Sequence, residues 1–276
     1  MNKLFKLSIF SLIFLVFFGC KEDNTTNDVE LNDTTAVETD TVETVQNDVI
    51  YKFPNPVELY MFLWEDGVPF NSEALHDLNK AESYVTTESK AINFGIYASD
   101  LAYCTVNDKN EETFNYFTTV KQLANDLGLL EGFDDKIAER IDKNISNSDS
   151  LFKISVDSYS DVITQMENNH QDNLLPFIIT GSWLESVYIA VNSTKGFSEE
   201  DPVIMRVVEQ QMICEMIAEY LETKKSDPQV NELLEKIYNL LESYDKLYDN
   251  TDVLVTKEQY QEISEKIINL RNELTK

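Results

Sequence analysis

From Pro54 onward, apolar residues recur at spacings of three and four, with few Gly or Pro to break the pattern and no sustained Val/Ile/Thr alternation. That period lines apolar side chains along one face of a helix, whereas a strand requires a period of two. The spacing predicts helices over about 55–65, 71–80, 88–107, 111–129, 134–146, 149–168, 172–194, 201–223, 228–248 and 256–275. Several starts carry their own signals. Asp201-Pro202 and Asp227-Pro228 each set a capping Asp before a first-turn Pro, and Thr256 with Gln259 forms a capping box. In the last two helices, Val230, Leu233, Ile237, Leu240, Tyr244 and Leu247 make one apolar seam, and Tyr260, Ile263, Ile267, Leu270 and Leu274 make another. A connection of about seven residues is short enough to fold such a pair back on itself. The expected fold is all-α, a multi-helix bundle of about ten helices ending in an antiparallel helical hairpin. A tetratricopeptide-like stack fits the helix count, but its signature residues are missing.

The N-terminus follows a different rule. Lys3 and Lys6 precede Leu7–Phe18, a run interrupted only by Ser8 and Ser11, and Gly19-Cys20 closes it. A membrane span needs about 20 apolar residues, so this run suits the core of an export signal instead. Phe17-Phe18-Gly19-Cys20 resembles the lipobox of bacterial lipoproteins, with Phe where that pattern prefers Leu and then a small residue. Lys21-Glu22-Asp23 resembles the surface-export signal of Bacteroidota lipoproteins, a Lys followed by two acids. The resemblance implies cleavage before Cys20, a diacylglycerol on its thiol and acylation of its amine. Several acyl chains make a stable anchor where one alone binds marginally. The implied location is the outer membrane at the cell surface. A periplasm-facing position, or the outer leaflet of the cytoplasmic membrane, is the alternative.

This divides the chain into a signal peptide (1–19), a lipidated Cys20 with an acidic tether (20–50) and a helical domain (51–276). Residues 21–48 hold nine acids, one Lys, seven Thr and four Asn, with no aromatic, Pro or Gly. So little apolar surface under so much like charge does not offset the entropy of ordering, and a disordered spacer is expected. Its 28 residues reach roughly 30 Å as a flexible coil. Loss of Lys3 and Lys6 with the signal takes the formal charge from −28 to −30. A field of that sign repels phosphate backbones and argues against nucleic acid as a partner. The mature chain keeps two cysteines, Cys104 and Cys214, both in apolar helical runs. They are expected as two separate buried thiols, with a disulfide between them as the alternative outside the cytoplasm.

Motifs that carry chemistry are scarce. His76 and His170 have no second ligand at zinc spacing. Asp108, Asn110 and Glu112 alternate like the start of a calcium loop, but the required Gly and the twelfth-position Glu are missing. Gly181-Ser182 lacks the second Gly of a nucleophile elbow. No cofactor, metal or catalytic residue is assigned. In helix 88–107, Gly95 and Ser99 would let another backbone come close, and Asp100 aligns with Asn93 and Asn107 on a polar stripe, exposed or hydrogen-bonded. Glu185 falls among apolar neighbours on helix 172–194, where an unpaired carboxylate is costly. Arg206, one of three arginines, lies inside the apolar run Val203–Val208, so a buried Glu185–Arg206 pair is expected. Met205, Met212 and Met216 share one side of their helix and are expected to fill core.

Gly95–Tyr103 and Gly181–Ala190 resemble blocks in uncharacterised helical lipoproteins of Bacteroidota and bring no activity with them. The expectation is therefore a membrane-anchored, non-enzymatic protein that binds a protein or small-molecule partner or serves envelope structure. The alternative is capture of a glycan or peptide nutrient, for which Trp64 and Trp183 are a thin aromatic supply. An enzyme working through a buried carboxylate ranks below both.

Overall fold

Where the apolar period is strong, the chain is helical, and several of the helices begin at side-chain caps. The computed structural model describes residues 42–46, 49–53, 55–129 and 171–276, with scattered helical positions between 139 and 166. Eight α-helices lie among the described residues: α1 (Pro56–Glu65), α2 (Thr87–Val106), α3 (Asn110–Asp126), α4 (Leu175–Ser193), α5 (Pro202–Glu209), α6 (Gln211–Thr223), α7 (Pro228–Asp245) and α8 (Lys257–Leu274). Asn55, Thr86, Asp201 and Asp227 accept from the first-turn backbone of α1, α2, α5 and α7. The capping box of Thr256 and Gln259 is closed in both directions. The helices expected over 134–146 and 149–168 lie largely outside the described residues, as does the segment containing Cys20.

Three local expectations are corrected. Residues 71–80 do not form one α-helix; they make two 3-10 turns, Ser72–Ala74 and Leu78–Ser83. Asn71 and Asp77 each bend a side-chain oxygen back to the amide two residues on, and such Asx turns compete with helix. The helix expected over 201–223 is broken at Gln210 into α5 and α6. Val42–Gln46 (β1), inside the expected tether, pairs antiparallel with Val49–Phe53 (β2), Val42 opposite Phe53. Averaging composition over the acidic segment hides its local β-branched content. Phe53 is buried and meets Tyr220 of α6 edge-on at 5.3 Å.

At the centre, α2 packs on α4, whose residues Leu175–Val187 are all buried. A helix buried on every side needs a neighbour close enough to leave no gap. Two glycines provide it. A Cβ on Gly95 would lie 2.2 Å from the carbonyl oxygen of Ile178, and one on Gly181 would lie 2.2 Å from that of Ile92. The two backbones touch reciprocally at these points. Ser99, on the same helix as Gly95, is buried and bonds the hydroxyl of Tyr60 at 2.7 Å.

The seams of α7 and α8 face inward, with Val230, Leu233, Ile237, Leu240 and Tyr244 buried on one and Tyr260, Ile263, Ile267 and Leu270 on the other. Cys104 and Cys214 are separate buried thiols. The methionine expectation fails in part: Met212 is 71% exposed, and Met216 only partly packs against the core. Asp108 takes a left-handed turn between α2 and α3, while Asn110 and Glu112 are already in the first turn of α3. Among the described residues no helix is long and apolar enough to cross a membrane.

Because the atoms facing Gly95 are backbone, they cannot swing aside. Gly95→Ala is expected to lose at least about 1–3 kcal/mol of stability, the usual cost of overpacking a core. Urea melts of the two proteins check this; an unchanged midpoint would mean that the crossing is looser than described.

Candidate functional site

The strongest concentration of perturbed ionisable groups lies where the last turn of α8 meets α2 and the middle of α4. Glu185 of α4 is fully buried, and both its oxygens are taken by Arg271 of α8: Nε donates to Oε2 at 2.8 Å and Nη2 to Oε1 at 2.9 Å. This two-point fork is the geometry in which Arg holds a carboxylate best. The guanidinium carbon also lies 4.5 Å from the ring centroid of Tyr188, one helical turn along from Glu185.

The expected partner was Arg206, and the structure corrects that. Arg206 bonds Glu209 at 2.8 Å on its own helix and stacks over Phe62 at 3.9 Å, with its side chain 32% exposed. The inward face of α5 is Val203, Ile204, Val207 and Val208, which turns Arg206 outward although its sequence neighbours are apolar. Arg271 had a signal that went unread. It follows Ile263 by eight residues and Ile267 by four, so it sits on the inward side of the last seam.

Asp100 of α2 joins the pair. It is fully buried, not exposed, and its Oδ2 accepts the backbone N–H of His76 at 3.1 Å. Burial, and then the charge of Glu185, pushes its pKa well above the ordinary carboxylate range. Glu185 is pushed up by burial against the lowering pull of Arg271. Asp100 Oδ1 accepts from no donor. Two buried carboxylates that raise one another in this way do not both ionise, and Asp100, without a cation of its own, keeps the proton. One carboxylate, one carboxylic acid and one guanidinium then sum to zero charge.

His76, between the two 3-10 turns, closes the cluster. Its ring Nε2 shares a 2.5 Å hydrogen bond with the hydroxyl of Tyr84, and its carbonyl accepts from Tyr116 at 2.7 Å. Burial, then the charges of Arg271 and Lys80, depress the ring pKa to about 3, so the imidazole is neutral. Tyr84 is pushed up to about 12 by burial. Nearby, Asn93 donates to the carbonyls of Ser89 and Leu274, and Lys80 donates to that of Thr275.

Among the described residues no group of His, Cys, Asp and Glu is arranged to hold a metal ion. Lys21, Glu22 and Asp23 lie, like Cys20, outside the described residues. Trp183 is buried, with its indole N–H donating to Gln210 at 3.1 Å, whereas Trp64 is 56% exposed. No family model matches the chain, and no curated protein or solved structure matches it either.

Removing one member of a buried pair strands the other. Glu185→Gln and Arg271→Met are each expected to cost about 3–5 kcal/mol, and the double variant well under their sum. Arg206→Met should cost less than about 1 kcal/mol. Chemical denaturation of the four variants checks the cycle; additive losses at Glu185 and Arg271 would dissolve the pair.

Asp100 keeps its proton in the folded state at pH values where the unfolded chain has lost it. Stability should therefore fall as pH rises from the ordinary Asp value of 3.8 toward the raised folded value. The slope is about 1.4 kcal/mol per pH unit for one full proton. His76 contributes the opposite slope between 6.5 and about 3, which cancels when wild type is compared with Asp100→Asn. The Asn variant should gain on wild type as pH rises from about 4 to 7. Parallel stability curves would place the proton elsewhere.

Proposed function

We propose that this chain is a lipid-anchored, surface-exposed helical lipoprotein that acts by binding or as envelope structure, not by turnover. The observation that carries the reading is the burial of its perturbed acids. Asp100 and Glu185 are fully buried and Arg271 is 7% exposed, so none of the three meets solvent to any useful extent. A general acid or base must reach the proton it moves. The cluster fits a lock between helices better than a reaction centre.

The anchor rests on the resemblance of Phe17–Cys20 to a lipobox and of Lys21-Glu22-Asp23 to a surface-export signal, preceded by a short apolar run with two lysines. The mature body is strongly acidic, which suits a solvated exterior and disfavours nucleic acid. Nutrient capture is the second reading. For glycans it is weakened by the separation of the two Trp residues, one buried and one exposed. A cleft beside α1 gives small molecules a better claim.

We read the architecture as about ten helices, the eight described plus the two expected over 134–146 and 149–168, ending in an antiparallel hairpin. Lys236 pairs with Glu273, and Lys246, just past the end of α7, pairs with Glu262, so the later part of α7 meets the earlier part of α8. That order supports the hairpin.

Metabolic labelling with a fatty-acid probe should mark the wild type and leave Cys20→Ala unlabelled. Replacing Lys21, Glu22 and Asp23 by Ala should keep the label but remove the body from protease shaving of whole cells. An unlabelled wild type would end the anchor; a triple variant still shaved would end the export signal.

A further inference from the structure

A cleft of about 220 Å³ opens where α1 meets α4 and the α5–α6 corner. Asn55, Glu58, Leu59, Phe62, Trp183 and Arg206 are among its lining residues. Two of its polar atoms are left without partners. Asn55 is 5% exposed and commits Oδ1 to capping α1 at Val57, and its Nδ2 is buried with no acceptor. Glu58, in the first turn of the same helix, has Oε1 buried with no donor, and burial pushes its carboxyl pKa up. Buried polar groups are nearly always paired, so an orphan donor and an orphan acceptor in one cleft call for a molecule that supplies both partners.

The cation in the cleft is also only partly used. Arg206 gives Nη1 to Glu209 and lies over Phe62. A guanidinium carries five N–H donors, so others remain for a ligand. Trp183 is held by Gln210, whose amide N–H bonds the carbonyl of Arg206 in turn. The cleft therefore offers an acid, an amide donor, a guanidinium and apolar surface from Leu59 and Phe62.

We propose that it binds a small zwitterion, a free amino acid with an apolar side chain. The ammonium meets Glu58, the carboxylate meets Asn55 Nδ2 and Arg206, and the side chain lies on Leu59 and Phe62. The volume agrees. It falls below the range of about 300–1,000 Å³ that holds drug-sized molecules, which suits a ligand of amino-acid size. The proposal deepens the binding reading of the helical body and rests on it, but not on the lipid anchor.

Isothermal titration of the detergent-solubilised full chain with L-leucine tests it, with N-acetyl-L-leucine and L-leucinamide as probes that each lack one charge. L-leucine should give saturable heat, and both analogues should bind at least about tenfold more weakly. Glu58→Gln should weaken L-leucine by about tenfold or more while melting no lower than wild type, because it removes an unpaired buried acid. Arg206→Met should weaken L-leucine similarly, and Glu232→Gln, on the exposed face of α7, should not. Absence of heat at millimolar L-leucine, or equal binding of either analogue, overturns the site. With fatty-acid labelling of Cys20 intact, that result overturns the cleft alone; saturable binding by a chain that takes no lipid overturns the anchor alone.

Discussion

The backbone contact between α2 and α4 is the constraint from which the rest of the structure follows. With Gly95 against the carbonyl of Ile178 and Gly181 against that of Ile92, no side chain or water separates the two helices there. Every polar group on the facing surfaces must then find a partner inside the protein. Asp100, Asn93 and Glu185 are those groups, all fully buried. What they require determines which other elements can dock. Glu185 requires a guanidinium, which Arg271 supplies, and Asn93 requires a carbonyl, which Leu274 supplies. Both come from the end of α8, where helical carbonyls are free because no later turn uses them. Lys80 and Tyr84 use the next carbonyl, that of Thr275. The last turn of α8 is thus held from three directions.

Such a cluster is a poor way to gain stability and a good way to select one arrangement. Desolvating ions costs several kcal/mol each, and an apolar replacement of similar shape can match the result. The cluster limits that cost by carrying one negative and one positive charge, with Asp100 protonated and His76 neutral. Any competing packing that separated Arg271 from Glu185 would bury an unpaired charge. The pair therefore discriminates between packings more than it adds to the chosen one.

Much of this was legible in the sequence, and the failures share a physical cause. Local order was accessible because it depends on neighbours in the chain: the Asp201, Asp227 and Thr256 caps, the α7 and α8 seams, and the small residue at Gly95. The burial of Glu185 was legible from its wheel. Its partner was not, since Arg271 is 86 positions away and periodicity carries no information about which helices meet. Arg206 sits in a contiguous apolar run without lying on the apolar face, and on an eight-residue helix the two differ. Side-chain turns at Asn71 and Asp77 overrode helical spacing. Composition averaged over residues 21–48 concealed the short ribbon at Val42. Asn55 and Glu58 gave no sequence signal beyond an N-cap and a first-turn acid, which is also what an ordinary helix start looks like.

The contrast between the two polar sites bears on how an acidic protein could select a ligand. A formal charge of −28 on the chain would favour cations and repel anions at long range. At physiological salt, however, that field decays within about 8 Å, and a zwitterion carries no net charge for it to act on. Discrimination then falls to groups in direct contact. Arg271 is buried and grips both oxygens of Glu185, while Arg206 has 32% of its side chain exposed and holds only one carboxylate oxygen of Glu209. Glu58 has burial without a cation. The cluster is closed to solvent and its charges are paired, whereas the cleft opens to solvent and keeps an acid without a cation. It is the unsatisfied site, not the more strongly perturbed one, that has chemistry left for a ligand.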